Sequence, residues 1–267
     1  MADPSMIDAS GFLHGRHRIC VVGADSWGTV IGRIAAERAV ELPRTFVRDV
    51  KIWLKDEKCA DGAMLAETIN KRHENVKYLP GVKLPENLIA EPELEKAAWE
   101  CTLLLFAVPM EQIHAGLFAR ILAGCSANCR VLSLVKGMSF TAHMLRDEHG
   151  MHNGERIPTL VSQQIRKEMH GASVSVLMGG NIATEVASGE FCEATIGARD
   201  VETGEVWYRL LNSPMFRLNV ILDVEGVEVC GSLKGLVALA AGFSDGLGYR
   251  SNTKAAITRI GLDELRR

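Results

Sequence analysis

Apolar runs of strand length alternate along this chain with segments of helical character, and few chain arrangements satisfy that alternation. Arg18–Val22, Val50–Leu54, Leu103–Val108, Arg130–Val135, Ser173–Leu177, Glu193–Gly197 and Arg217–Leu222 read as strands. The central ones are continuously apolar, as parallel strands covered on both faces must be. Between them Trp27–Val40, Gly62–Lys71, Glu111–Leu122, Ile182–Ala187 and Glu205–Leu211 read as helices. This strand–helix rhythm predicts an α/β fold with a doubly wound sheet. It stops near Asp223. Val224–Gly246 reads as one long apolar helix, and Asn252 as the cap of a second that starts at Thr253. Two helices are too few to close a bundle core.

The bulk numbers remove other classes. With 47% hydrophobic and 24% charged residues in 267, the balance is that of a soluble globular protein. A net charge of -3 gives no electrostatic case for a nucleic-acid partner. The apolar stretches Leu103–Val108 and Leu236–Phe243 are too short for a bilayer, so no membrane partner is expected. Residues 1–17 are polar, lack a secretory core and read as a disordered extension. The seven cysteines are odd in number and scattered, which fits reduced thiols and a cytoplasmic location. Cys125 and Cys129 have no second pair beside them in the sequence, so no zinc site is expected. His143, His149 and His152 lie in a polar stretch and read as solvated.

The first strand runs directly into Gly23-Ala-Asp-Ser-Trp-Gly28 and a helix. That is the place of a Gly-x-Gly-x-x-Gly dinucleotide fingerprint. Gly23 permits the tight turn, Gly28 lets the helix pack on the sheet, and the helix N-terminus offers N–H groups to a pyrophosphate. The middle glycine is replaced by Asp25, whose side chain intrudes and whose charge repels. Read from this motif alone, the turn is either a nucleotide site or a plain strand–helix connection. Strand two ends at Lys55-Asp56-Glu57, where an acidic residue holding ribose hydroxyls favours NAD over NADP and a lysine opposes it. A solvated charge cluster is the other reading.

Longer words carry a family resemblance. Asn70-Lys-Arg-His-Glu-Asn-Val-Lys-Tyr-Leu-Pro-Gly81, Ser133-Leu-Val-Lys-Gly137, Ser175-Val-Leu-Met-Gly-Gly-Asn-Ile-Ala183, Phe191–Gly197, Glu228-Val-Cys-Gly-Ser-Leu-Lys-Gly235 and Ala240–Gly248 occur in order. From about residue 18 onward the chain resembles the eukaryotic NAD-dependent glycerol-3-phosphate dehydrogenases. The resemblance implies a Rossmann-type dinucleotide-binding domain over 18–222, and over 223–267 the start of an all-helical substrate domain. It also implies NAD as cofactor, dihydroxyacetone phosphate and sn-glycerol 3-phosphate as substrates, and a homodimer. Lys234 matches the family's catalytic lysine. A lysine inside the apolar run Val227–Phe243 is either snorkelling at a helix surface or functional, and desolvation would lower its pKa toward a range useful for proton transfer. Lys136 matches a lysine reaching substrate and nicotinamide, and stands at the end of the fourth candidate strand. Asn181 is expected either to contact substrate or to serve as a plain helix cap. The resemblance places cofactor contacts at Gly23, Ala24, Asp25, Ser26, Trp27, Gly28, Lys136 and Ala183.

The chain departs from the family pattern at Asp25. It departs again at Gly235 in place of an asparagine, at Met110-Glu111-Gln112 in place of an aromatic residue, and in a polar stretch near 139–170 that reads as a surface insertion. The family segment with a catalytic Asp and a phosphate-gripping Gly-Gly-Arg-Asn-Arg does not occur in these residues. Little turnover is therefore expected of the 267 residues alone, and a non-catalytic nucleotide-binding remnant is the alternative. Other hydroxyacid dehydrogenases of the same two-domain plan lack the His73–Gly81 word.

Overall fold

The computed structural model describes residues 16–147 and 150–266, with side chains outside 140–157. The expected extension over 1–15 lies outside the described residues, as do His149 and the side chains of His143 and His152. His17 is not part of an extension: it opens the first strand.

Eight strands form one sheet in the order β10-β9-β8-β5-β4-β1-β2-β3. They are β1 (His17–Val22), β2 (Phe46–Trp53), β3 (Leu88–Glu91), β4 (Leu103–Phe106), β5 (Arg130–Ser133), β8 (Val174–Gly179), β9 (Cys192–Gly197) and β10 (Phe216–Ile221). From β3 at one edge through β2, β1, β4 and β5 to β8 the strands of this sheet are parallel, β9 runs antiparallel to β8, and β10 runs parallel to β9. This is a Rossmann-like doubly wound sheet followed by helices. Strand order reverses between β1 and β4, so a crevice opens at their carboxyl ends.

The continuous apolar runs are explained by cover on both faces. Ile19 and Val21 of β1 and Leu103 and Leu105 of β4 face one layer, with residues of α1 (Ser26–Glu41), α2 (Leu65–Arg72) and α7 (Val201–Leu211). Cys20, Val22, Leu104 and Phe106 face the other, with α4 (Ala115–Gly124) and α5 (Val161–Glu168). Successive side chains point to opposite faces, so each strand must be apolar throughout. In the second layer Phe106 stacks on Phe118 with centroids 5.6 Å apart.

Several expectations are corrected. β3, the short helix α3 (Leu94–Ala97) and α5 were not foreseen. The stretch near 139–170 is not simply an insertion. Met138–Asp147 (β6) and Gly150–Leu160 (β7) form a hairpin, but Val161, Ile165 and Met169 after it are core residues. The helix expected over Glu111–Leu122 is a single turn at Met110–Gln112, then α4. The last helix, α9 (Ser251–Arg266), begins one residue before Asn252, which therefore does not cap it. The long helix α8 spans Val224–Gly246, the range read from the sequence. Contrary to expectation, its length and composition would suffice to cross a membrane. Its first turns are core all the same: Val224 and Val227 pack on Val176 and Met178 of β8.

Candidate active site

Gly23 leaves β1 with φ +113, and a Cβ there would lie 2.5 Å from the carbonyl oxygen of Ala107, just past β4. Only glycine fits both the left-handed backbone and this close approach. The turn is braced from below by a fully buried side chain. Asn75 Nδ2 donates to the carbonyl of Ala24 at 3.0 Å and to Thr29 Oγ1 at 2.9 Å. Asn75 belongs to the long sequence word that ends at Gly81, and no periodicity marked it as a support of the turn.

Asp25 caps α1. Its Oδ1 accepts from the Gly28 N–H at 2.7 Å. The carboxylate thus occupies the helix N-terminus, where a pyrophosphate would otherwise take the free N–H groups. Burial pushes the Asp25 carboxyl above the ordinary range, against the lowering effect of the Gly28 and Trp27 N–H groups.

A cavity of about 360 Å³ opens beside this turn, lined by Asp25, Ser26, Trp27, Lys136, Asn181 and Ala183 among others. The ammonium of Lys136 lies 5.8 Å from the centroid of the Trp27 ring, within cation–π range. Trp27 is held in turn by an edge-on contact with Phe216, centroids 6.3 Å apart. Asn181 is not a cap, because α6 (Ala183–Ala187) follows Ile182 without any side-chain capping bond. Instead its Nδ2 donates to the Glu193 carbonyl at 3.0 Å, while its Oδ1 is buried with no partner. An orphaned acceptor at a cavity wall suits a ligand that brings a donor.

Lys234 reaches the same region from α8. Gly231 makes this possible: a Cβ there would lie 2.5 Å from Met178 Cγ, so only glycine lets the helix lie so close to β8. One turn on, Lys234 Nζ donates to the Gly179 carbonyl at the end of β8. Ser232, absent from the expected site residues, ties the two lysines into one unit. Its hydroxyl donates to the Gly137 carbonyl at 3.1 Å and accepts from the Gly137 N–H at 3.1 Å, next to Lys136. Burial, then the positive charge of Lys136, pushes the Lys234 ammonium below its ordinary pKa. Lower on α8, the fully buried Glu228 accepts from the Ser162 N–H at 3.0 Å and from the Ser162 hydroxyl. That bond fixes the helix on α5 and the sheet.

At the end of β2 the acidic pair is used internally. Asp56 Oδ1 accepts from the N–H groups of Glu57 at 3.1 Å and Ala66 at 3.2 Å. Glu57 accepts from the Tyr78 hydroxyl at 2.7 Å and from Lys77.

Sequence profiles decide the family. The one described as NAD-dependent glycerol-3-phosphate dehydrogenase N-terminus matches residues 18–204, and that of the C-terminus matches 223–267. The chain belongs to the NAD-dependent glycerol-3-phosphate dehydrogenase family. It is 44% identical over 248 residues to the glycerol-3-phosphate dehydrogenase 1-like protein of Danio rerio, covering 93% of this chain and 66% of that one. It is 40% identical to the cytoplasmic NAD(+) glycerol-3-phosphate dehydrogenase of Homo sapiens, with coverage of 93% and 66%. Among solved structures, the glycerol-3-phosphate dehydrogenase of Saccharomyces cerevisiae matches with a TM-score of 0.81 at 33% identity, over 94% of this chain and 69% of that one. The chain thus spans about two thirds of the length of the dehydrogenases it matches.

Proposed function

We propose that this protein interconverts dihydroxyacetone phosphate and sn-glycerol 3-phosphate with NAD(H). The observation that carries the proposal is the Ser232–Gly137 bond pair, which sets Lys234 of α8, held on the Gly179 carbonyl, on the side of the sheet where Lys136 lines the cavity beside the glycine turn. Gly23, Ala24, Ser26, Trp27 and Gly28 would hold the cofactor's pyrophosphate and its neighbourhood. Lys136, Asn181 and Ala183 would face the nicotinamide end. When bound, NADH supplies the hydride. Lys234 then gives its Nζ proton to the carbonyl oxygen of the ketone, and its lowered pKa eases that transfer. Lys136 adds positive charge where the oxygen gains negative charge. In the reverse direction neutral Lys234 takes the hydroxyl proton back. Residues 18–222 act in this reading as the dinucleotide-binding domain and 223–267 as part of the substrate domain.

A cytoplasmic location is supported by the likeness to the human relative, which is cytoplasmic. A homodimer is the assembly that the family resemblance implies for the full-length protein. The test of function is NADH oxidation in the presence of dihydroxyacetone phosphate. Both the 267-residue polypeptide and one extended with the family's Gly-Gly-Arg-Asn-Arg segment are assayed. The extended protein is expected to turn over, and Lys234→Ala to abolish turnover while NADH still binds. The shorter one is expected to be slower by orders of magnitude, because a bidentate phosphate grip supplies positioning energy. Absence of NADH binding in both overturns the proposal.

A further inference from the structure

At the amino ends of β4 and β5, away from the cofactor cavity, four of the seven cysteines share one apolar layer. Cys20, Cys101 and Cys129 are buried in it, and Cys125 packs against it. The sulfurs of Cys101 and Cys129 lie 3.8 Å apart, in van der Waals contact, and both side chains are buried. Their backbones are held in register. The Glu100 N–H donates to the Gly124 carbonyl at 2.8 Å, that of Ser126 to Cys101 at 3.0 Å, and that of Arg130 to Thr102 at 2.9 Å. Cys125 packs against the same layer and is half-buried. Cys125 and Cys129 line a surface cavity of about 990 Å³ with Arg16, Ser126, Arg130 and His170 among its walls. Among the described residues no group of three His, Cys, Asp or Glu is disposed to hold a metal ion. The 3.8 Å contact instead places two sulfurs within reach of a disulfide.

We infer that Cys101 and Cys129 are a redox pair that closes to a buried disulfide, with Cys125 as the thiol through which an oxidant reaches it. A hydroperoxide such as hydrogen peroxide converts the Cys125 thiol to a sulfenic acid and leaves as water. The Cys129 sulfur displaces the sulfenic oxygen, which departs as a second water carrying the Cys129 proton, and a Cys125–Cys129 bond forms. Cys101 then attacks Cys129, passing its proton to the released Cys125 thiol. In sum two thiols lose two electrons and two protons, and one hydrogen peroxide becomes two waters. Hydrogen bonding among the neighbouring thiols, with burial added, pushes the three thiols up, so they stay protonated and the pair remains reduced until oxidant is abundant. The resulting bond joins residues 28 apart at the start of adjacent strands and leaves their carboxyl ends untouched. Oxidation should therefore stabilise the fold without altering the cofactor cavity.

The test is to treat reduced protein with hydrogen peroxide, quench with an alkylating agent, and map disulfide-linked peptides by mass spectrometry. A Cys101–Cys129 link is expected, reversed by dithiothreitol and accompanied by a rise of several degrees in Tm. Cys125→Ser should slow its formation by about ten-fold or more, since Cys101 and Cys129 are almost wholly buried and Cys125 is the more accessible thiol. The inference is overturned if Cys101 and Cys129 remain free thiols while the exposed Cys230 oxidises, or if the disulfide stays at Cys125–Cys129. It is equally overturned if Cys125→Ser forms the link as fast as the parent, or if the oxidised protein has a lower Tm.

Discussion

Replacing Asp25 by glycine should tighten cofactor binding, and its size follows from the geometry of the turn. The Asp25 carboxylate sits on the Gly28 N–H at 2.7 Å, so a pyrophosphate at this helix N-terminus would meet a like charge and lose a donor. A carboxylate at about 5 Å from one phosphate charge repels it by about 0.8 kcal/mol in water and about 3 kcal/mol at an effective dielectric constant of about 20. Half-buried Asp25 lies between these limits. Glycine serves as an N-cap nearly as well as aspartate, so the fold loses only a few tenths of a kcal/mol. The net expectation is a gain of about 1–2 kcal/mol, or about 5- to 30-fold tighter NADH binding by isothermal titration calorimetry. Asp25→Asn, which keeps an acceptor and removes the charge, should recover most of the gain. The parent should also bind NAD more tightly as pH falls through the raised Asp25 pKa, because protonation removes the repulsion, and Asp25→Gly should lose that dependence. Unchanged or weaker binding by the glycine variant would refute the electrostatic account. A gain with glycine but none with asparagine would make the obstruction steric.

Four further outcomes are expected. Lys136→Met should raise the Lys234 pKa and move the alkaline limb of the pH–rate profile for ketone reduction upward; an unmoved limb would mean the two ammonium groups do not interact. Glu228→Ala should leave the Ser162 N–H unsatisfied and cost about 2–3 kcal/mol in urea unfolding, whereas Glu228→Gln should cost less; equal losses would show that hydrogen bonding is not the source. NADH should bind more tightly than NADPH because Asp56 and Glu57 stand at the end of β2, although both are engaged within the protein; side-by-side titration giving equal affinity contradicts this. Leu239→Gln with Phe243→Ser should reduce light scattering of the 267-residue polypeptide on concentration, since both side chains are more than half exposed; unchanged scattering points to another surface.

The sequence by itself determined the sheet and its central strands. The apolar runs of β1, β4 and β5 are continuous because both faces are covered, and that demand is local enough to read from composition. It also determined α8 to the residue, and the glycine turn, where φ +113 leaves no other choice at Gly23. It did not reveal β3 or α5, which are short and whose packing partners lie far along the chain. The roles within the site were decided only by tertiary contact. Asp25 as its own helix cap, Ser232 clamped on Gly137, and Asn181 bonded to Glu193 each join atoms set by the path of the backbone. Cys125 and Cys129 lack a partner pair in sequence, yet folding sets Cys101 against Cys129 across 28 residues. Periodicity reports which face a residue turns to water or core. Which other residue it meets there depends on the order in which strands are laid side by side, and no local pattern carries that order.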